Sequence, residues 1–180
     1  QADTAMSHAR GPLLSEADLD WLRDDLAATS LPAIIFSHIP LDGASMTGNF
    51  YFQANPQFAT YHNLARAQAI IIGAGNVAMC VAGHVHWNNL SRIGGIPFLS
   101  LQSLTESYTT QGEASGAWAL IEADAEGLRW RGYGQDPIEL KVRTGGGNRG
   151  WAEPLAPFHE LARERARPID FSGKKALLLD

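Results

Sequence analysis

The first half of the chain alternates between two hydrophobic patterns. In "LLSEADLDWLRDDLAAT", residues 13–29, Leu19, Leu22 and Leu26 recur on one helical face, with Asp24 and Asp25 opposite. Ser15 followed by Asp18 is a capping-box pattern, so the spacing predicts a helix over 13–29. "LPAIIFS" (31–37) and "VAMCVAG" (77–83) are short, continuous and apolar, which predicts two buried strands. Residues 58–72 return to helical spacing, and Gly73 and Gly75 are expected to stop that helix. Two buried strands joined through a helix predict a parallel pair.

Beyond residue 89 the pattern turns to β. "LSRIGG", "IPFLSLQS", "GAWALIEAD" and "GLRWRGYG" are short segments separated by turn residues, with "ADAEG" (123–127) a hairpin connection and "IELKVR" (138–143) one further strand. Residues 42–57 are rich in Gly, Asn and Pro and carry Phe50, Tyr51 and Phe52, which predicts a long loop with exposed aromatics. "TGGGNRG" (144–150) reads as a flexible linker, and it is not a phosphate-binding loop because no Lys-Ser/Thr follows it. Residues 151–180 form a tail with a helix-like stretch, "FHELARERAR". The fold class is α/β (α+β), with mixed sheets and flanking helices.

Composition narrows the function classes. The 180 residues suit one domain, and a net charge of −5 gives no general pull toward nucleic acid or an anionic membrane. No run of apolar residues is long enough to span a bilayer. Cys80 is the only cysteine and reads as inert strand core; it suits the reducing cytoplasm and equally a disulfide-free periplasmic protein. The start lacks an initiator Met and a signal-peptide pattern, so a chain beginning at Gln1 is expected to be processed, trimmed or cut from something longer.

The candidate chemistry lies in the histidines. His38 and His84 each follow a predicted parallel strand, where open α/β sheets place their sites. His84 and His86 form H-x-H, a spacing that aims two imidazoles into one pocket if the backbone turns there, and Gly83 permits a sharp turn or a close backbone approach. Imidazole suits zinc, iron, nickel and copper. Set against this, a lone strand-end histidine is more often a hydrogen-bonded structural residue, and a bare H-x-H is as often structural as ligating.

"IIFSHIPL", followed some 45 residues later by "VAGHVHWN", resembles the last two motifs of the calcineurin-like metallophosphoesterases. Asp3-Thr4 with "GPLLSEADLDWLRDDL", and the later strands "RIGGIPFLSLQS" and "GAWALIEADAEGLRWRGYG", resemble the flanking segments of that family. The likeness runs over roughly residues 1–135. It implies part of a four-layer αββα sandwich, with residues 1–143 as the C-terminal half of the domain, around two metal ions of Fe, Mn or Zn. By the same likeness His38 and His84 would be ligands of one metal and His86 a ligand of the other, acting on a small phosphate mono- or diester. Asn88 and Asn89 would hold phosphate oxygens or steady the ligands, unless they are simply turn residues. Phe50, Tyr51 and Phe52 would form a lid that selects an organic leaving group by stacking, unless they pack the loop onto the body. His62, in "TYHNLA", caps or faces a helix and is a further candidate substrate contact. His8 and His159 read as surface residues.

The family's upstream motifs are missing. No D-x-H, G-D or G-N-H-D/E occurs; Gly48-Asn49 is followed by Phe-Tyr and Gly75-Asn76 by Val-Ala. The resemblance therefore implies a chain that binds metal weakly and does not turn over phosphate esters alone. Its partners would be a complementing N-terminal segment or a second copy of itself. Two other readings stand beside this one: a non-catalytic interaction domain, and a transition-metal binder using His38, His84 and His86.

Overall fold

A computed structural model describes residues 11–44, 46 and 48–143. The expected linker, the tail with its helix-like stretch, and His8 and His159 lie outside the described residues.

The first helix, α1 (Glu16–Ala27), begins at a reciprocal cap: Asp18 N–H donates to Ser15 Oγ at 3.1 Å, and Ser15 N–H to the Asp18 carboxylate at 3.1 Å. It is shorter than 13–29 because the chain before it is engaged elsewhere. The Asn63 amide holds both Leu14 N–H (3.0 Å) and Leu14 C=O (2.8 Å), so residue 14 cannot join a helical ladder. Leu19 and Leu26 are buried on the face predicted for them.

Strand β1 (Ala33–Ser37) leads into the long loop, a one-turn 3₁₀ segment at Pro56–Phe58, and helix α2 (Leu64–Ala74). Gly73 stays inside α2. The helix ends at Gly75, whose φ of 74° is the left-handed cap that glycine tolerates. Strand β2 (Val77–Ala82) then lies parallel to β1, as the helical crossover requires. Strands β3 (Asn89–Ile93) and β4 (Ile96–Ser100) form a hairpin, with positive φ at both Gly94 and Gly95 in its turn. β4 is parallel to β2, so the sheet order is β1-β2-β4-β3. A second, antiparallel sheet follows: β5 (Trp118–Asp124), β6 (Gly127–Tyr133) and β7 (Ile138–Arg143), in that order.

Two cores hold the layers together. Leu19, Leu26, Ala67 and Ile71 of the helices pack on Val77, Cys80, Ile96 and Phe98 of the first sheet. Ala78, Met79, Val81 and Leu99 pack on Leu128 and Trp130 of the second. β2 is buried on both faces, which explains its uninterrupted apolar sequence. Its register skips a residue, since Ala33 faces Val77 and Ile34 faces Met79. That bulge lets Ala78 and Met79 both serve the inter-sheet core while Cys80 serves the other. Burial there pushes the Cys80 thiol up to about 12, in keeping with an inert core residue. No helix among the described residues is long and apolar enough to cross a membrane.

Candidate metal centre

The parallel strands β1 and β2 end together and release His38 and the Gly83–Trp87 turn at one edge of the sheet. Gly83 N–H donates to His38 C=O at 3.1 Å, which ties the two strand ends. Gly83 thus makes the close backbone approach open to it, and the sharp turn falls on the histidines. Gly83 has ordinary φ, whereas His84 and His86 have φ of 64° and 58°. Histidine is among the few side chains enriched in this left-handed region. Val85 between them is fully buried and anchors the turn, so both imidazoles are thrown outward from one anchored residue.

His84 is held at its back. Its Nε2 lies 2.8 Å from the Phe58 carbonyl, which can only accept. Nε2 therefore carries the proton and, in the neutral ring, Nδ1 presents a lone pair. That Nδ1 lies 3.3 Å from His38 Nε2, with the rings edge to face at 5.1 Å. Two nitrogens 3.3 Å apart, each at the ~2.0–2.1 Å of a zinc–imidazole bond, subtend roughly 104–111° at a shared cation, close to tetrahedral. A ligand imidazole whose other N–H donates to a carbonyl is the common arrangement in metal sites. Burial lowers the pKa of His84 from its ordinary 6.5, the Phe58 carbonyl works the other way, and His38 and His86 push it down further. The net effect favours the neutral, ligating form.

The fit covers two coordination positions and no more. His86 lines the same cavity as His38 and His84. Among the described residues, however, no group of three or more His, Cys, Asp or Glu side chains is arranged to hold a metal ion.

The aromatic loop braces the turn. Asn49, 2% exposed, donates from Nδ2 to Val85 C=O at 2.8 Å, between the two histidines. Its Oδ1 accepts from Tyr51 N–H and Phe52 N–H, each at 2.9 Å. The Phe52 ring then lies 5.0 Å from that of His84. Asn49, Phe52 and the Phe58 carbonyl were not singled out from sequence as supports for the histidines. A backbone carbonyl leaves no side-chain signal, and an Asn in a Gly/Asn-rich loop looks like any turn residue.

The candidate substrate contacts sit as follows. Asn88 donates to Asp136 C=O (2.8 Å) and accepts from Gln102 N–H (2.9 Å), bracing three segments. Asn89 begins β3 and donates to the Asp42 carboxylate at 3.2 Å. Tyr51 is half exposed, edge to face with Phe52. His62 is exposed, with its N–H on Pro12 C=O, and does not line the histidine cavity.

The sequence matches no protein-family model and no curated protein. Among solved structures, a dimetal phosphatase from Danio rerio superposes with a TM-score of 0.59 at 19% identity, covering 73% of this chain and 39% of that one. The fold is metallophosphoesterase-like. A point mutant of Vps29 from Entamoeba histolytica gives a TM-score of 0.32 at 22% identity, over 42% of this chain and 45% of that one, too slight to bear on the fold. The chain spans well under half the length of the phosphatase whose metallophosphoesterase-like fold it shares.

Proposed function

We propose that this chain carries the imidazole side of a dinuclear site that hydrolyses small phosphate mono- or diesters, once the groups of the missing upstream motifs are supplied. The carrying observation is the pair of facing nitrogens, His84 Nδ1 and His38 Nε2, with His84 fixed from behind by Phe58. His38 and His84 would hold one cation of the Fe, Mn or Zn class, and His86 would serve the second. When bound, such a pair supplies charge that stabilises the transferring phosphoryl group and acidifies a water. This chain's own residues contribute position: Phe58 sets the His84 tautomer, Asn49 fixes the turn between His84 and His86, and Phe52 covers one side of the His84 ring.

The test uses the protein of the complete reading frame. Elemental analysis is expected to find transition metal, and bis(p-nitrophenyl) phosphate or p-nitrophenyl phosphate to be hydrolysed. His84→Ala should lower both bound metal and turnover by about a hundredfold or more. Metal-free protein, or hydrolysis indifferent to His84→Ala, sinks the proposal.

A second reading, a non-catalytic interaction domain, draws on exposed aromatic surface: Phe36 is 68% exposed and Trp21 63%. An obligate oligomer without metal, by light scattering and elemental analysis, is its signature.

A further inference from the structure

We infer that Gln102 and Trp130 are specificity-determining residues of the histidine cavity, and that the ester received there carries hydroxyl groups on its organic part. The inference rests on the phosphoesterase reading above and says what recognises the group attached to the phosphate.

Three parallel strands, β1, β2 and β4, end in one row, with Ser37 beside Ala82 and Ala82 beside Ser100. Just past this row β1 releases His38, β2 releases His84 and β4 releases Gln102. The carboxyl ends of parallel strands are where α/β sheets gather their sites. Leu101 N–H donates to Ala82 C=O at 2.8 Å, and Gln102 N–H to Asn88 Oδ1 at 2.9 Å. The backbone at 101–102 is thus tied to the residues on either side of the histidine turn. Gln102 and Trp130 line the cavity of about 500 Å³ that His38, His84 and His86 also line.

The orientation of the Gln102 amide is fixed. Its side chain is buried, and Nε2 donates to the Glu106 carboxylate at 3.0 Å and to Thr109 Oγ1 at 3.1 Å. A carboxylate only accepts, so turning the amide over would set two oxygens against each other. Oε1 is therefore directed away from the 106–109 loop. Three buried side-chain polar atoms lack a hydrogen-bond partner among the described residues: Gln102 Oε1, Trp130 Nε1 and Asn76 Oδ1. Two of the three belong to the wall of this one cavity. Leaving a buried donor or acceptor unpaired is costly. A site built around such groups favours the ligand that completes them over an analogue that does not.

The pair also says which chemistry completes it. Gln102 Oε1 needs a donor, and the Trp130 indole N–H needs an acceptor. A hydroxyl is both, whereas an ammonium only donates and an ether only accepts. Charge keeps the phosphate itself off this wall. The Glu106 carboxylate stands directly behind the amide, where it polarises Oε1 into a stronger acceptor and repels an anionic oxygen. Among the described residues no Lys or Arg lines the cavity to offset it. Leu101, Ala119 and Ile121 supply apolar wall for a carbon skeleton between the polar groups.

The test compares two esters of equal length in the protein of the complete reading frame: 3-hydroxypropyl phosphate against butyl phosphate, with their p-nitrophenyl diesters run in parallel. The wild-type protein should favour the hydroxypropyl ester in kcat/KM by about tenfold or more. Gln102→Met and Trp130→Phe should each bring that ratio toward one while bound metal stays at the wild-type level. A merely structural role would slow both esters alike and leave the ratio where it was. Should Gln102→Met fail to fold, the wild-type preference and Trp130→Phe still decide. The inference is overturned by a wild-type protein that does not distinguish the esters, or by a preference that either folded variant leaves unchanged. Hydrolysis without the preference removes this inference alone, whereas failure to hydrolyse any ester removes the phosphoesterase reading and this inference with it.

Discussion

Two loops leave the ends of neighbouring parallel strands, and they treat their titratable groups in opposite ways. After β4, Glu106 is 2% exposed and fully engaged by its own loop. Its carboxylate accepts from Gln102 Nε2 (3.0 Å), Thr109 Oγ1 (2.5 Å), Thr109 N–H (3.3 Å) and Tyr108 N–H. After β2, His84 has one nitrogen tied to Phe58 and the other turned toward an imidazole from a separate strand end. A buried group saturated by local donors holds a loop in shape. Two ring nitrogens brought together from separate strand ends, close enough to share either a proton or a cation, are a different arrangement.

The largest effect that distinguishes the loops is on stability. Glu106→Ala strands two backbone N–H groups and the Gln102 and Thr109 side chains, and should cost about 2–3 kcal/mol in urea unfolding while leaving cobalt(II) affinity unchanged. A loss of cobalt binding would erase the contrast. Next comes Asn49→Ala, which removes the brace on Val85 and should cost about 1 kcal/mol yet weaken cobalt binding about tenfold. Asn49→Asp, able to keep the Tyr51 and Phe52 bonds but not the one to Val85, should fall in the same class for cobalt; recovery to wild-type affinity would assign the effect to the loop alone.

The smallest effect is the pH dependence of the metal-free chain. His84 has a folded pKa below its ordinary 6.5, so its contribution is full above 6.5 and is lost as pH falls through the lowered value. For Glu106, burial pushes the pKa up, but hydrogen bonds from Thr109, Tyr108 and Gln102 outweigh it, and the net value lies below 4.5. Its contribution is therefore full above 4.5 and fades at lower pH. Urea midpoints should decline in two stages, one beginning near 6.5 and abolished by His84→Asn, the other below 4.5 and abolished by Glu106→Gln. A single stage insensitive to His84→Asn would mean that His84 is not held neutral.

Much of this layout was legible from residue pattern. The apolar runs at 31–37 and 77–83, with helical spacing between them, located the parallel strands whose ends carry His38 and His84. Ser15 and Asp18 announced the cap that forms. Helix lengths were less legible, because long-range side-chain bonds such as Asn63 on Leu14 remove residues from a ladder without altering local propensity. The turn chemistry was the least legible. Glycine at 83 looked like the hinge, but conformational permissiveness does not oblige a residue to use it, and the left-handed positions fell on the histidines. Contacts made by backbone carbonyls, such as Phe58 on His84, cannot be read from residue identity at all.

That left-handed backbone has an implication for anyone redesigning the chain for robustness. Glycine at 84 or 86 would suit φ of 64° or 58° better than any residue with a Cβ, relieving about 1 kcal/mol of crowding, partly offset by the freer unfolded chain. A stability-driven consensus would therefore drift toward Gly-Val-Gly there, producing a sturdier protein that has given up its imidazoles. Keeping two rings on the least hospitable torsions of the loop is a preference that thermal tolerance alone would never select.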